Sequence, residues 1–228
     1  MIGAFVRAAW LVVRKDVVIE LRSREILYTT LFFAAASVLV FAFGFVREGE
    51  PAGDVAAGVL WIAIAFAGTL ALGRTFERER YGETLRGLAL APVERSAIYA
   101  GKLLGLLLLL AAVEAVLVPV VGLLFQAALS REAVALVLLL AAGTVGFAAV
   151  GTLFGAMLVR ARSRDVLLPV VLYPMAVPVI IGGVRGTAAL VQTEPDLPAA
   201  WMWIGILAAF DAVFLTLALW TFEPVMTE

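Results

Sequence analysis

Six long apolar runs, separated by short charged segments, organise the 228 residues of this chain. A helix needs about 20 mostly apolar residues to cross the hydrocarbon core of a bilayer, and every run reaches about that length. Strands are excluded, because the runs show no alternation and exceed the ~9–11 residues of a membrane strand. The pattern predicts an all-α, polytopic membrane protein that forms a single domain over residues 1–228. The six predicted spans are 26–46, 55–73, 103–125, 133–158, 166–184 and 200–222.

The composition supports this class of protein. Hydrophobic residues make up 64% of the chain and charged residues 15%, compared with about 45–50% and 25% in soluble domains. These proportions exclude a soluble globular domain and a disordered chain. The net charge of −1 gives no indication of a nucleic-acid partner. The first partner of the chain is therefore the lipid bilayer.

Several kinds of chemistry are excluded by residue types and motifs that the sequence lacks. The chain has no Cys and no His, so it lacks the usual ligands of zinc, copper and haem iron. We therefore predict no metal site and no cofactor bound by this chain. The sequence contains no Walker A, GxGxxG, HExxH or GxSxG pattern. We predict that the chain is not an enzyme and that any ATP is hydrolysed by a separate subunit.

The distribution of Lys and Arg predicts the orientation of the spans. Fourteen of these residues lie in the N-terminal segment and in the segments after spans 2 and 4, whereas three lie on the opposite side. Because Lys and Arg concentrate in cytoplasmic loops, both termini are predicted to be cytoplasmic, in the cytoplasmic (inner) membrane. Loops 47–54, 126–132 and 185–199 are predicted to face outside.

Residues 1–25 have the pattern of an amphipathic helix rather than of a cleaved signal. Apolar residues recur at three-to-five-residue steps, and basic residues fall largely between them. We predict an interfacial helix that lies in the inner membrane interface and leads into span 1; an ordinary cytoplasmic extension is the alternative. The apolar positions are Ile2, Phe5, Trp10, Val13, Val17 and Leu21.

The longest hydrophilic stretch, residues 74–102, is a candidate docking loop. It mixes charges of both signs around a short apolar strip, and Gly82 is placed to end a helical extension of span 2. A short helix over 83–90, stopped by Pro92, would suit a groove on a partner protein; a solvated charged loop is the alternative. The candidate residues are Glu77, Arg78, Arg80, Gly82, Glu83, Leu85, Arg86, Leu88 and Pro92.

Two carboxylates fall at membrane depth, Glu114 in span 3 and Asp211 in span 6. A charge there costs at least a few kcal/mol, so such groups face the bundle interior or water. They are candidates for a substrate path or a proton relay. The structural alternative is a neutral carboxyl that is hydrogen-bonded between helices.

Span 5 carries three prolines, Pro169, Pro174 and Pro178, each of which removes a backbone donor and kinks a helix. A broken helix of this kind lines a pathway or moves, although irregular packing without function is the alternative. In span 4, Gly151 and Gly155 form a GxxxG step, which predicts close helix packing rather than a ligand site.

Two stretches carry a resemblance to a known family. The run ERERYGETLRGLALAPVERSAIYAGK resembles the segment after the second span of ABC-2-type permeases. The longer run WIAIAFAGTLALGRTFERERYGETLRGLALAPV and the proline-rich LLPVVLYPMAVPVIIGG resemble the CcmB family, the haem-exporter permeases of cytochrome c maturation. The length, the six spans and the basic N-terminal helix fit that family from end to end.

The resemblance implies an ABC-2-type permease fold and a defined set of partners. These are a separate ABC ATPase subunit, a second copy of the chain and a haem-handling membrane protein of the cytochrome c maturation system. It implies a role in haem export or delivery, with residues 77–92 including the helix that couples the permease to the ATPase. Haem is then a possible substrate of the complex. Without His or Cys, only Met157, Met175, Met202 or a Tyr would be available as axial ligands. This favours mechanical coupling of ATP hydrolysis to haem handling elsewhere in the complex over a haem channel through this subunit.

Two other functions compete with this interpretation. One is an ABC-2-type permease that exports another substrate, a lipid or a drug. The other is an integral-membrane enzyme that uses Glu114 or Asp211. Genes for a small ATPase and a Trp-rich haem-handling protein beside this one would favour the haem system, and activity of the purified subunit alone would favour the enzyme.

Overall fold

Seven helices build the part of the chain that the computed structural model describes, residues 2–46, 53–81, 94–159, 161 and 163–225. No strand occurs within these ranges. The all-α prediction is confirmed. The helices are α1 (Ile2–Ser23), α2 (Glu25–Phe45), α3 (Gly53–Tyr81), α4 (Arg95–Leu124), α5 (Ala133–Met157), α6 (Arg164–Val191) and α7 (Leu197–Val225).

Helices α2 to α7 are the six that are long and apolar enough to cross a membrane. The predicted spans agree with them at their apolar centres, but the helices extend further into the charged segments. Helix α3 continues to Tyr81 and α4 begins at Arg95, so the predicted 74–102 loop is helical at both ends. In the same way, the predicted outer loop 185–199 shortens to five residues between α6 and α7, residues 192–196.

Helices α3 and α5 form the centre of the bundle. About two thirds of each apolar window is buried, 67% in α3 and 61% in α5, compared with at most 33% in the other spans. Helix α5 packs against α3, α4, α6 and α7. The remaining spans therefore surround this pair and expose more of their surface.

Small residues in α5 make that close packing possible. A Cβ added at Gly143 would overlap the indole of Trp61, and one at Gly151 would overlap Leu72. At Gly155 it would lie 2.7 Å from a ring carbon of Phe76. The predicted role of the GxxxG step in helix packing is confirmed, and its partner is α3.

Trp61 lies inside the bundle rather than on a surface where a tryptophan could act as a membrane anchor. Its side chain is 2% exposed, and its indole Nε1 donates to Thr187 Oγ1 at 2.9 Å. The ring also occupies the space that Gly143 and Gly183 leave open. Trp201 and Trp220, near the two ends of α7, are exposed as anchors require.

Helix α1 is present as predicted, but its buried face coincides only in part with the predicted apolar face, which shares Val13 with it. Ala9, Val12 and Val13 are buried, and Ala9 and Val12 contact α4 at Gly101. Trp10 and Leu21, assigned to the same predicted face, are exposed. A single apolar period could not separate the face that contacts the bundle from the face that contacts lipid.

The two ends of the bundle carry different charges. Contacts between α1 and α4, α3 and α6, and α4 and α7 bring the basic segments to one end. At the other end Arg131 donates to the Thr193 carbonyl at 2.7 Å, and Gly53 lies beside Val191. The alternation of ends that the basic residues predicted is therefore present in the packing.

Candidate functional site

The predicted docking segment begins on the last turns of α3. Glu77, Arg78 and Arg80 lie on this helix, and the Glu77 carboxylate is 3.7 Å from the Arg74 guanidinium. Because α3 reaches Tyr81, the predicted helical extension of the second span is confirmed. The remaining candidate residues, Gly82, Glu83, Leu85, Arg86, Leu88 and Pro92, lie outside the described residues.

A buried arginine connects α3 to α6 just before this segment. Arg164 is 3% exposed, and its Nη2 donates to the Gly73 carbonyl at 2.6 Å and to the Leu72 carbonyl at 3.3 Å. Its guanidinium carbon also lies 5.9 Å from the centre of the Phe76 ring. Sequence reasoning counted Arg164 only as one of the basic loop residues, because its partners are about ninety positions away.

A second buried cation fixes α1 against α4. Lys102 is 4% exposed, and its Nζ donates to Asp16 Oδ2 at 2.9 Å. Asp16 is also 3.2 Å from Lys15 Nζ. The sequence placed Lys102 in a loop, whereas it stands on the second turn of α4 and holds the N-terminal helix.

Glu114 is buried between α4 and α5, where Thr144 donates a hydrogen bond to its carboxyl. This arrangement matches the structural alternative, a carboxyl hydrogen-bonded between helices. A hydroxyl partner satisfies a buried acceptor without bringing a second charge into the membrane.

Asp211 lies on the opposite side of α5. It is 9% exposed, and its carboxyl covers Gly146, where an added Cβ would be 2.6 Å from Oδ1. Val179 of α6 and Phe210 contact the same glycine position. Within the described part of the chain, Oδ1 has no hydrogen-bond partner, so the two intramembrane carboxyls differ in how they are satisfied.

The three prolines do not break the fifth span. Helix α6 is continuous from Arg164 to Val191 through Pro169, Pro174 and Pro178, so the expected broken helix is wrong. Pro174 and Pro178 are exposed on the outer face of the bundle, and Pro169 is partly buried. Two of the three prolines therefore lie on an outward surface of α6.

A cavity of about 420 Å³ opens where α1, α2, α3 and α4 meet. Its walls are mostly apolar, and its polar groups come from the C-terminal half of α1, the start of α2 and Thr75 of α3. Sequence reasoning missed it, since no motif marks a space between helices. Its lining includes Asp16, Glu20, Leu21, Arg24, Tyr28 and Leu108.

Comparisons with known proteins identify the family. The family model described as CcmB protein matches residues 7–226 of the chain. A protein of Rhodobacter capsulatus named heme exporter protein B is 30% identical over 196 residues, which cover 82% of this chain and 84% of that protein. The similarity thus extends over the basic N-terminal helix and all six spans. This chain, a multi-pass membrane protein, belongs to the CcmB family.

Proposed function

We propose that this chain is the membrane permease subunit of a haem-export ABC system that serves c-type cytochrome biogenesis. The observation that carries the proposal is the CcmB match over residues 7–226. The relative named heme exporter protein B, which aligns over most of both chains, supports the same function. A transporter subunit of this kind does no chemistry on its substrate.

The energy for transport comes from ATP hydrolysis on a separate ABC ATPase subunit. Two observations support this division of labour. The sequence lacks a P-loop, and α3 extends about two turns past Gly73, where its apolar run ends, carrying Glu77, Arg78 and Arg80 toward the docking segment. Residues 77–92 are the coupling segment of our proposal, with Leu85 and Leu88 as apolar anchors and the charges setting the register.

A second copy of the chain completes the permease, and α6 supplies the surface for it. Pro178 has no N–H to donate to the carbonyl of Pro174, and Pro174 has none for the carbonyl of Val170. Val170 is 62% exposed and Pro174 is also exposed. Backbone carbonyls without a helical donor are costly against lipid, which favours protein contact on this face.

The complex also includes a haem-handling membrane protein of the cytochrome c maturation system. Haem is a substrate in this scheme, and the chain holds no resident cofactor, because it has neither His nor Cys. The permease sits in the cytoplasmic (inner) membrane, with its basic end and both termini toward the cytoplasm.

Two substitutions in the coupling segment test the proposed function. We expect Glu83→Lys and Leu85→Asp to weaken ATPase association and to lower the yield of c-type cytochromes, while membrane insertion stays normal. An exposed ion pair contributes at most about 1 kcal/mol and a desolvated pair several, so the loss caused by Glu83→Lys depends on how exposed its ion pair is. Leu85→Asp removes an apolar anchor, and we expect it to cause the larger loss. Pull-down of the ATPase and cytochrome yield are the two measurements.

Glu194→Lys is the matched control, since Glu194 is exposed in the loop between α6 and α7 at the other end of the bundle. It makes the same charge change far from the coupling segment. Full ATPase binding in both coupling variants, or equal losses in the control, would reject this assignment.

A further inference from the structure

The cavity between α1, α2, α3 and α4 has the features of a binding site. Its volume of about 420 Å³ falls within the roughly 300–1,000 Å³ of small-molecule pockets. Leu21, Tyr28 and Leu108 stand at its rim with more than half of each side chain exposed. The cavity is therefore reached from the outer surface of the bundle, at the end that carries the basic segments.

Tyr28 is the polar group at the rim that could bind a metal, and Arg24 holds it. The Arg24 guanidinium donates to the Tyr28 hydroxyl at 3.2 Å. Arg24 also has a left-handed backbone, with φ 53°, at the junction where α1 ends and α2 begins. An unfavourable conformation of a non-glycine residue is kept where the surroundings demand it, and such residues cluster at ligand clamps.

We propose that this cavity is a binding site for ferric haem, with the Tyr28 oxygen as axial ligand of the iron. The inference rests on the proposed function, since haem is the substrate that it assigns to the complex. Tyrosine is an established axial ligand of haem iron, and a donor to the ligand atom orients the ligand and tunes the metal. On binding, the Tyr28 oxygen takes the place of the axial chloride or water of ferric haem, which leaves to solvent, and the hydroxyl proton passes to water, with no change of oxidation state.

The other described tyrosines and methionines are less suitable. The Tyr99 hydroxyl is buried and donates to the Ala149 carbonyl at 3.0 Å, and the Tyr173 hydroxyl lies 3.4 Å from Thr69 Oγ1. None of these residues lines the cavity, and neither do Met157, Met175 and Met202. Among the tyrosines and methionines whose side chains the structure describes, Tyr28 combines a hydrogen-bonded oxygen with an adjacent apolar space.

The charges around the cavity are compatible with an amphiphile that carries two propionates. Asp16 is compensated by Lys15 and Lys102. The Glu20 carboxylate accepts the backbone N–H of Leu27 at 2.9 Å, at the N-terminus of α2 where a negative charge is favourable. The two propionates of haem therefore do not face uncompensated carboxylates, and the macrocycle packs against the apolar wall of the cavity.

The test uses the full chain in lipid nanodiscs, titrated with ferric haem chloride and followed by absorption and electron paramagnetic resonance. We expect one haem per chain with a high-spin ferric tyrosinate spectrum. Tyr28→Phe removes that spectrum and weakens binding at least about tenfold, and Arg24→Gln weakens it by about tenfold, the usual effect of removing a partner of a metal ligand. Tyr173→Phe is the matched control and leaves both unchanged.

Leu108→Trp fills the mouth of the cavity with Tyr28 intact and weakens binding as well. Unchanged affinity in both Tyr28→Phe and Leu108→Trp would overturn the proposal. So would a phospholipid that native mass spectrometry finds in the nanodisc-released chain and that ferric haem does not displace.

Cytochrome yield separates this site from the proposed function. In a strain whose own permease is deleted, the wild-type gene restores c-type cytochromes and Tyr28→Phe does not. Failure of the wild-type gene to do so contradicts the proposed function. Full restoration by a Tyr28→Phe chain that no longer binds haem overturns the site alone.

Discussion

Trp61 and the glycines around it show how single residues set the distance between helices. The indole ring lies where side chains at Gly143 and Gly183 would otherwise be, and its N–H is satisfied by Thr187. A buried Trp is tolerated when its N–H has a partner. Three helices, α3, α5 and α6, are therefore positioned by one side chain.

Gly143→Ala should displace Trp61, because the added methyl group would overlap the ring. Overpacking of this kind costs about 1–3 kcal/mol, and the hydrogen bond to Thr187 is lost with it. Gly205→Ala is the control, since nothing lies within 4 Å of that position. Equilibrium unfolding in bicelles should show a lower free energy of unfolding for Gly143→Ala and no loss for Gly205→Ala; equal values would show that the packing relaxes without cost.

The carboxyl of Glu114 is expected to act through its hydrogen bond with Thr144. Glu114→Gln keeps an acceptor for the Thr144 hydroxyl and should retain stability and cytochrome yield. Glu114→Leu leaves the hydroxyl without this partner and should cost about 1–2 kcal/mol of unfolding free energy, the range of interhelical hydrogen bonds in membranes. Loss of cytochrome yield in Glu114→Gln, with stability unchanged, would instead assign the carboxyl to the transport cycle.

At this scale the sequence identified unusual residues but not their partners. Glu114 and Asp211 stand out because carboxylates are rare at membrane depth. Arg164, Lys102 and Trp61 do not, because their roles depend on residues 92, 86 and 126 positions away. Such pairs are set by how helices pack, and a local pattern carries no information about them.

Among the elements, the apolar centre of each span could be predicted and its ends could not. Hydropathy reports which residues lie at membrane depth, whereas Arg, Glu and Lys are good helix formers in water. The helices therefore continue where the apolar pattern stops, as α3 does to Tyr81 and α4 does from Arg95. The prolines of α6 led to the expectation of a broken helix, whereas the helix continues through all three of them.

The outward face of α6 that carries Pro174 and Pro178 is expected to form the contact between two copies of the chain. The chain has no cysteine, so single-cysteine variants need no prior substitution. We expect Pro174→Cys and Ile181→Cys to form cross-linked dimers with a short thiol-specific reagent in native membranes. Leu123→Cys is the control, because Leu123 is 80% exposed on a different helix, α4. Cross-linking at Leu123 alone would place the contact elsewhere.

In the whole molecule, the alternation of basic and apolar segments predicts which ends lie together. Segments assigned to one side by their Lys and Arg content do meet at one end, as the pairs Lys102–Asp16 and Arg164–Gly73 show. The cavity could not be predicted in this way, since it lies between α1, α2, α3 and α4 and depends on how these four helices pack. The family resemblance, by contrast, was carried by local runs of sequence and is confirmed over nearly the whole chain.

Reporter fusions should establish the sides of the membrane. Fusions after Glu50, Ser130 and Thr193 are expected to report an external location, and fusions after Gly87, Ser163 and Met226 an internal one, because of the excess of Lys and Arg on that side. Paired reporters that are active on opposite sides provide the internal control. An external location for the fusion after Gly87 would remove the coupling segment from the reach of an ATPase.

The hydrogen bonds from Arg164 to α3 have a mechanical consequence. Helix α3 has 29 residues and is about 43 Å long, well beyond the roughly 30 Å of the hydrocarbon core. The two carbonyls held by Arg164, at Leu72 and Gly73, divide the rod into a short arm of about 12 Å toward Tyr81 and a long arm of about 30 Å toward Gly53. Because Trp61 locks the long arm between α5 and α6, Arg164 adds a second fixed point near the charged end, and α3 is held at two levels of the membrane rather than one.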